Sequence, residues 1–221
     1  ITLPVKIIMQ SRNFYEIHQY ITHRKQVQKK TSSVITMEQI PHTPILAWFN
    51  HLDLPNQNCY CQAVALQMIQ PPPDHVLESM LRYLIACHDS LRIKKSLHGE
   101  YTYVPFSDNV FVLNCQTSDS CEDNSCDRII GQLIEQVDLK SGRLLKASLY
   151  HKPQEVVLYI VIHHVAVDGV SWNILLMDLQ RLLKQWNKGE VFSLIHNGSS
   201  YQSWALSQRT IKKIVSDTNS L

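Results

Sequence analysis

Apolar and polar side chains alternate from Cys59 to Ile69, with Tyr60, Gln62, Val64, Leu66 and Met68 on one side, and this period of two predicts a strand. Pro71, Pro72 and Pro73 end it. Asp74 then stands where the first turn of a helix favours an anion, and Val76, Leu77, Met80, Leu81, Leu84 and Ile85 follow at helical spacing to about Ser90. Ile93–Lys95 and Tyr101–Val104 read as strands around a turn at His98-Gly99-Glu100, and Val110–Asn114 as another short strand. A polar loop from Thr117 to Asp123 leads to a helix carrying Ile129, Ile130, Leu133, Ile134 and Val137. Leu144–His151 and Glu155–His163 form a hairpin across Lys152-Pro153-Gln154. Val170–Asn187 is an amphipathic helix with Leu175, Leu179, Leu182, Leu183 and Trp186 on one stripe, and Tyr201–Val215 a final helix. Pro41–Phe49 reads only as an apolar entry segment, and Asp53–Asn58 as a turn. Strands and helices mixed with hairpins predict an α/β sandwich rather than a purely parallel doubly wound sheet.

The ends of the chain differ from this pattern. Residues 1–23 predict a turn and a helix, capped by Ser11 or Asn13, with Tyr15, Ile17, His18 and Ile21 along it. Residues 24–38 are polar and rich in Lys and Arg, with no apolar period, and read as a linker. With 44% apolar and 18% charged residues, disorder is excluded as the main state. The 21 basic and 19 acidic side chains leave a net charge of only +2, without the concentrated basic excess of a nucleic-acid binder. The longest apolar run, Val156–Ile162, is strand-length, well short of the roughly 18 residues of a membrane span. The first residues lack a secretory signal pattern, so a cytoplasmic location is expected, with thiols reduced. Cys59, Cys61, Cys87, Cys115, Cys121 and Cys126 match no zinc-binding spacing and read as structural or incidental.

Chemistry concentrates where the last apolar strand ends in His163-His164, followed by Asp168-Gly169 and by Ser171-Trp172 opening a helix. Neighbouring strand side chains point to opposite faces, so the two histidines have different surroundings: one faces a packed layer, the other a cleft. Gly169 can supply a turn at positive φ, and the helix N-terminus can aim backbone N–H groups at the same place. A base beside oriented donors suits removal of a proton next to a carbonyl. Plainer readings stand beside this one: a hydrogen-bonded core histidine, a metal site of His163, His164 and Asp168, or a nucleophilic Ser171. Divergent strand side chains disfavour the metal, and the missing G-x-S-x-G elbow disfavours the serine.

His163-His164-Val165-Ala166-Val167-Asp168-Gly169 resembles the HHxxxDG motif of the condensation superfamily of nonribosomal peptide synthetases. Val170-Ser171-Trp172 through Leu176-Met177-Asp178-Leu179 resembles its epimerization branch. Thr43–Phe49 with Asp53-Leu54-Pro55-Asn56, His88-Asp89-Ser90-Leu91-Arg92, and Asp138-Leu139 to Leu144-Leu145-Lys146-Ala147 resemble further motifs in the same order over residues 40–210. The resemblance implies a chloramphenicol-acetyltransferase-like α/β sandwich. Residues 39–221 would be the N-terminal lobe of a two-lobe pseudodimer, residues 24–38 a linker, and residues 1–23 the closing helix of a carrier-protein domain. The second lobe's Glu-Gly-His-Gly-Arg run is absent from this sequence, which reads as a fragment, a split gene product or a truncated frame.

By the same resemblance, His164 is the catalytic histidine and His163 its packed companion. Asp168 is a buried structural carboxylate ion-paired with Arg92, Gly169 permits the turn, and Ser171 and Trp172 border the substrate tunnel. The implied substrate is an aminoacyl or peptidyl thioester on the phosphopantetheine arm of a carrier protein, with no metal or dissociable cofactor. The implied partners are that carrier domain and a second lobe, in cis or in trans, with no nucleic acid and no membrane. The implied reaction is inversion of the α-carbon. Peptide-bond formation by a condensation domain, or carrier docking by a non-catalytic lobe, are the competing expectations.

Overall fold

In the computed structural model, a run of apolar residues too short for a helix becomes the inner strand of a sheet covered on both faces. The structure describes residues 39–52, 54–107, 111–117, 126–194 and 200–208. These all belong to the second of two units, Thr36–Leu221. The carrier-tail helix expected at 1–23 and the linker expected at 24–38 lie outside the described residues, as do Asp53, Val110, Cys121 and the end of the final helix.

The elements follow in the order α1 (Pro44–His51), β1 (Cys61–Met68), α2 (Asp74–Cys87), β2 (Ile93–Lys95), β3 (Tyr101–Tyr103), β4 (Asn114–Thr117), α3 (Cys126–Ile134), β5 (Leu145–His151), β6 (Val156–His163) and α4 (Gly169–Asn187). Residues 201–208 are helical. The main sheet runs β1-β6-β5-β4, and β2 pairs with β3 in a separate antiparallel ribbon. β6 is antiparallel to both neighbours, with Cys61 opposite His163 and Met68 opposite Val156 on one side and Leu145 opposite Ile162 on the other. β4 runs parallel to β5. The expected hairpin is present, closed by the Lys152 N–H donating to the Glu155 carbonyl at 2.9 Å.

Alternate residues of β6 enter different cores. Leu158, Ile160 and Ile162 pack with the apolar stripes of α2 and α4, among them Leu81, Leu84, Leu175 and Leu179. Val157, Tyr159 and Val161 pack with Ile129 and Leu133 of α3. A strand buried on both faces reads as a continuous apolar run, which accounts for Val156–Ile162.

Two elements differ from expectation. The entry segment is a helix: Thr43 caps α1, accepting from the Leu46 N–H at 3.4 Å, and Pro44 occupies the first turn, where its missing N–H costs nothing. The strand expected at 110–114 begins at Asn114 instead. Phe111 and Leu113 are buried without ladder pairing, and the Asn114 carbonyl accepts from the Ser148 hydroxyl at 2.9 Å where β4 joins β5. Burial alone made those apolar residues look like a strand. No helix among the described residues is long and apolar enough to cross a membrane.

Candidate functional site

β6 ends at His163, and the chain turns through residues 164–166 into α4. The Ala166 N–H donates to the His163 carbonyl at 2.9 Å, and the His164 N–H donates to the Tyr60 carbonyl at 2.8 Å, so sheet pairing extends one residue beyond the strand. The two imidazoles therefore part as the period of two requires.

His163 is fully buried, at 0% exposure. The Val165 N–H donates to its Nδ1 at 3.1 Å, and its Nε2 lies 2.9 Å from the Gln57 carbonyl. A carbonyl only accepts, so Nε2 carries the hydrogen and Nδ1 the lone pair. Phe49 meets the ring edge-on at 5.5 Å. Burial, opposed by the Gln57 hydrogen bond and assisted by the neighbouring His164 and Lys95, lowers its pKa from 6.5 to about 4. His163 is a neutral core group.

His164 is half-buried, with Tyr60 stacked on its ring at 4.9 Å and 11°. Its Nδ1 lies 2.8 Å from the Val167 carbonyl, which places the hydrogen on Nδ1. Its Nε2 lies 3.0 Å from the side-chain nitrogen of Gln62, whose oxygen accepts from the Trp172 indole N–H at 2.9 Å. The site thus holds one imidazole sealed and neutral, and one with a basic nitrogen facing a polar partner.

Asp168, Gly169 and Arg92 stand otherwise than the sequence suggested. Asp168 is exposed, and its Oδ1 accepts from the Ser171 N–H at 2.7 Å and the Ser171 hydroxyl at 2.6 Å. It is the N-cap of α4, not a buried ion-pair partner. Those bonds from Ser171, with a further one from Val170 and the proximity of His164, hold its carboxyl below the usual carboxylate range against a smaller desolvation effect. The helix N-terminus is accordingly closed by its own cap. Gly169 has no positive φ and is the first helical residue. Positive φ belongs to Gly99, Gly142 and Gly189 among the described glycines. Replacing Asp168 with Ala is expected to cost about 1 kcal/mol of stability, the usual worth of such a cap. Denaturant titration at neutral pH checks this, and an unchanged midpoint would show the cap to be idle.

Arg92 is buried elsewhere: its Nε donates to the Ile85 carbonyl at 3.1 Å and a terminal nitrogen to the Val104 carbonyl at 3.0 Å. Burial lowers its pKa, and Asp89 is the carboxylate that opposes this. Asp89 in turn accepts from the Tyr103 hydroxyl and the Tyr201 N–H. The same motif's His88 reaches buried Asp178 of α4 at 3.1 Å, and Arg181 pairs with the other oxygen of Asp178 at 3.0 Å. This motif ties α2 to α4 rather than reaching His164.

Trp172 is buried and borders, with Ile160, Ile162 and Leu175, a small apolar pocket of about 10 Å³. A wider pocket of about 500 Å³ lies along α2, between His75, Glu78, Arg82, Tyr83 and Phe106, and neither His163 nor His164 lines it. α4 also presents Val170, Ile174 and Met177 to solvent on one stripe. Sequence reasoning missed Gln62 and Tyr60. The available signal was Gln62 itself, a polar residue on the otherwise apolar side of the alternating strand.

A covered mixed sheet ending in a two-histidine turn before a capped helix defines an α/β domain with the chloramphenicol-acetyltransferase-like fold. Residues 37–216 match the Condensation domain, and the chain belongs to that family, within the condensation superfamily of nonribosomal peptide synthetases. It is 30% identical over 177 residues to a linear gramicidin synthase of Brevibacillus parabrevis, a match covering 76% of this chain and 3% of that protein. Among solved structures it resembles the epimerization domain from the third module of tyrocidine synthetase B, with a TM-score of 0.71 and 25% identity over 80% of this chain and 41% of that one. It resembles the first condensation domain of the calcium-dependent antibiotic synthetase with a TM-score of 0.65 at 17% identity, over 80% of this chain and 44% of that one. The chain thus spans less than half of either solved domain and a small part of the gramicidin synthase.

Proposed function

We propose that this chain supplies the histidine-bearing half of an epimerization domain, which inverts the α-carbon of an aminoacyl or peptidyl thioester held on a carrier protein. The observation that carries the reading is His164: a half-buried imidazole with its Nδ1 hydrogen committed to the Val167 carbonyl and its lone pair at Nε2. The solved epimerization domain, at the higher TM-score and identity of the two structures described, supports the branch.

In this mechanism the thioester acidifies the α-hydrogen. Nε2 of His164 takes that proton, leaving the carbon–hydrogen electron pair on the enolate and a positive charge on the imidazole. Proton return to the opposite face inverts the centre. The acid for that face would belong to a complementary half, which would also cover the Val170, Ile174 and Met177 stripe. The phosphopantetheine arm enters as part of the substrate. Residues 1–23 would be the closing helix of the carrier domain, joined through 24–38.

The condensation family itself favours a second reading, in which the same nitrogen takes the proton of an attacking amine and an amide forms. Chirality separates the two. With the chain joined to its carrier and complementary half and loaded with an L-aminoacyl thioester, hydrolysis should release a mixture of D and L amino acid. Release of L alone, together with a dipeptide when a second loaded carrier is present, would establish condensation instead.

A further inference from the structure

The basic nitrogen of His164 is already engaged, and the direction of that engagement can be deduced atom by atom. An indole N–H only donates, so the Trp172 bond fixes the oxygen of the Gln62 side chain toward Trp172. The amide NH₂ must then face His164, and it can only donate there, so Nε2 of His164 accepts. Nδ1 is left to donate to the Val167 carbonyl. The result is a one-way chain of hydrogen bonds from Trp172 through Gln62 and His164 to Val167, spanning β1, the turn after β6 and the first turn of α4.

We propose that Gln62 is a positioning residue for His164: its amide, held one way round by the Trp172 indole, keeps the imidazole with hydrogen on Nδ1 and the lone pair on Nε2. The inference gives the base of the proposed reaction its orientation, and so rests on that reading for its catalytic meaning, though not for its geometry. Because the Gln62 amide occupies that lone pair, it holds the ring in the resting state and must move aside before Nε2 can meet a substrate proton. The titratable or charged groups around the ring are Tyr60 stacked on it, His163 beside it in sequence, and Asp168, whose charge acts on it from the cap of α4. None of these supplies an acceptor to Nε2 among the hydrogen bonds of the described residues.

The test is imidazole nitrogen NMR on the full chain, with the His164 signals identified by their loss in His164→Gln. In the parent protein the neutral ring should show hydrogen on Nδ1 and a bare Nε2. Trp172→Phe keeps an aromatic ring but removes the donor, so the amide is free to turn its oxygen toward Nε2, and hydrogen on Nε2 should appear in the ring. Gln62→Glu, which supplies an acceptor without any flip, should likewise draw hydrogen to Nε2, and it remains informative where Trp172→Phe fails to fold. A hydrogen on Nε2 of the neutral parent ring, or hydrogen placement unchanged in the variants that fold, would overturn the proposal. The readout does not depend on turnover, so an inactive or condensing protein would sink the proposed function and leave this inference standing.

Discussion

Replacing His164 with alanine should lower the rate of α-carbon inversion by roughly 10²- to 10⁴-fold, the span usually lost with a general base. The fold should survive, because the substitution leaves the apolar contacts of β6 intact on both faces: Leu158, Ile160 and Ile162 toward α2 and α4, and Val157, Tyr159 and Val161 toward α3. What disappears is Nε2, with the lone pair that the mechanism requires, and the stacking against Tyr60. Inversion is read by chiral separation of the released amino acid, and integrity by the cooperativity of unfolding. Loss of cooperativity would assign His164 a structural role. Full activity with an intact fold would remove it from the chemistry.

His163 should govern how stability responds to acid. Its folded-state pKa, about 4, lies below the ordinary 6.5, because burial penalises the imidazolium. The unfolded chain takes up this proton as pH falls through 6.5, while the folded protein does not until about 4. The stability contributed by a neutral His163 is therefore complete above about 6.5 and is lost progressively between 6.5 and 4, reaching roughly 3 kcal/mol in all. Between pH 7.5 and pH 5 the expected loss is about 2 kcal/mol. Denaturant unfolding at the two pH values measures it. His163→Gln removes the titrating group, so the variant should be less stable at pH 7.5 but lose less on acidification. An equal acid loss in both proteins would show that His163 is not its source. The two adjacent histidines thus predict opposite signatures: one alters turnover, the other stability.

The division of labour between His163 and His164 was legible in the sequence, since a period of two forces neighbours on a strand apart. The inner strand was legible for a related reason: an apolar run of strand length, ending in turn residues, needs cover on both faces. The hairpin through Lys152-Pro153-Gln154 and the stripe of α4 followed from the same local patterns. Local pattern also carried the start of α1, although the apolar content of Pro41–Phe49 obscured it. Thr43 before Pro44 is a helix-start pair, and the structure uses it as one.

Partnerships across the fold were less accessible. The motif suggests a buried carboxylate at Asp168, but an aspartate three residues before a serine at a helix start is also a cap, and the cap prevails. Arg92 is buried just before β2, among carbonyls that only the folded chain brings together. Gln62 is 102 residues from His164 in sequence, and its meaning emerges only when β1 pairs with β6. Sequence placed the imidazoles on their strand, but the atoms that orient them come from a strand and a helix whose approach is a property of the packed sheet.

Isotope exchange at the α-carbon tests the central claim most directly. The chain, joined to its carrier and complementary half, is loaded with an L-aminoacyl thioester in deuterated water, and the released amino acid is weighed. If Nε2 of His164 removes the α-hydrogen, deuterium from solvent appears at the α-carbon without any new amide. A released amino acid that keeps its original hydrogen while a dipeptide accumulates would contradict the account.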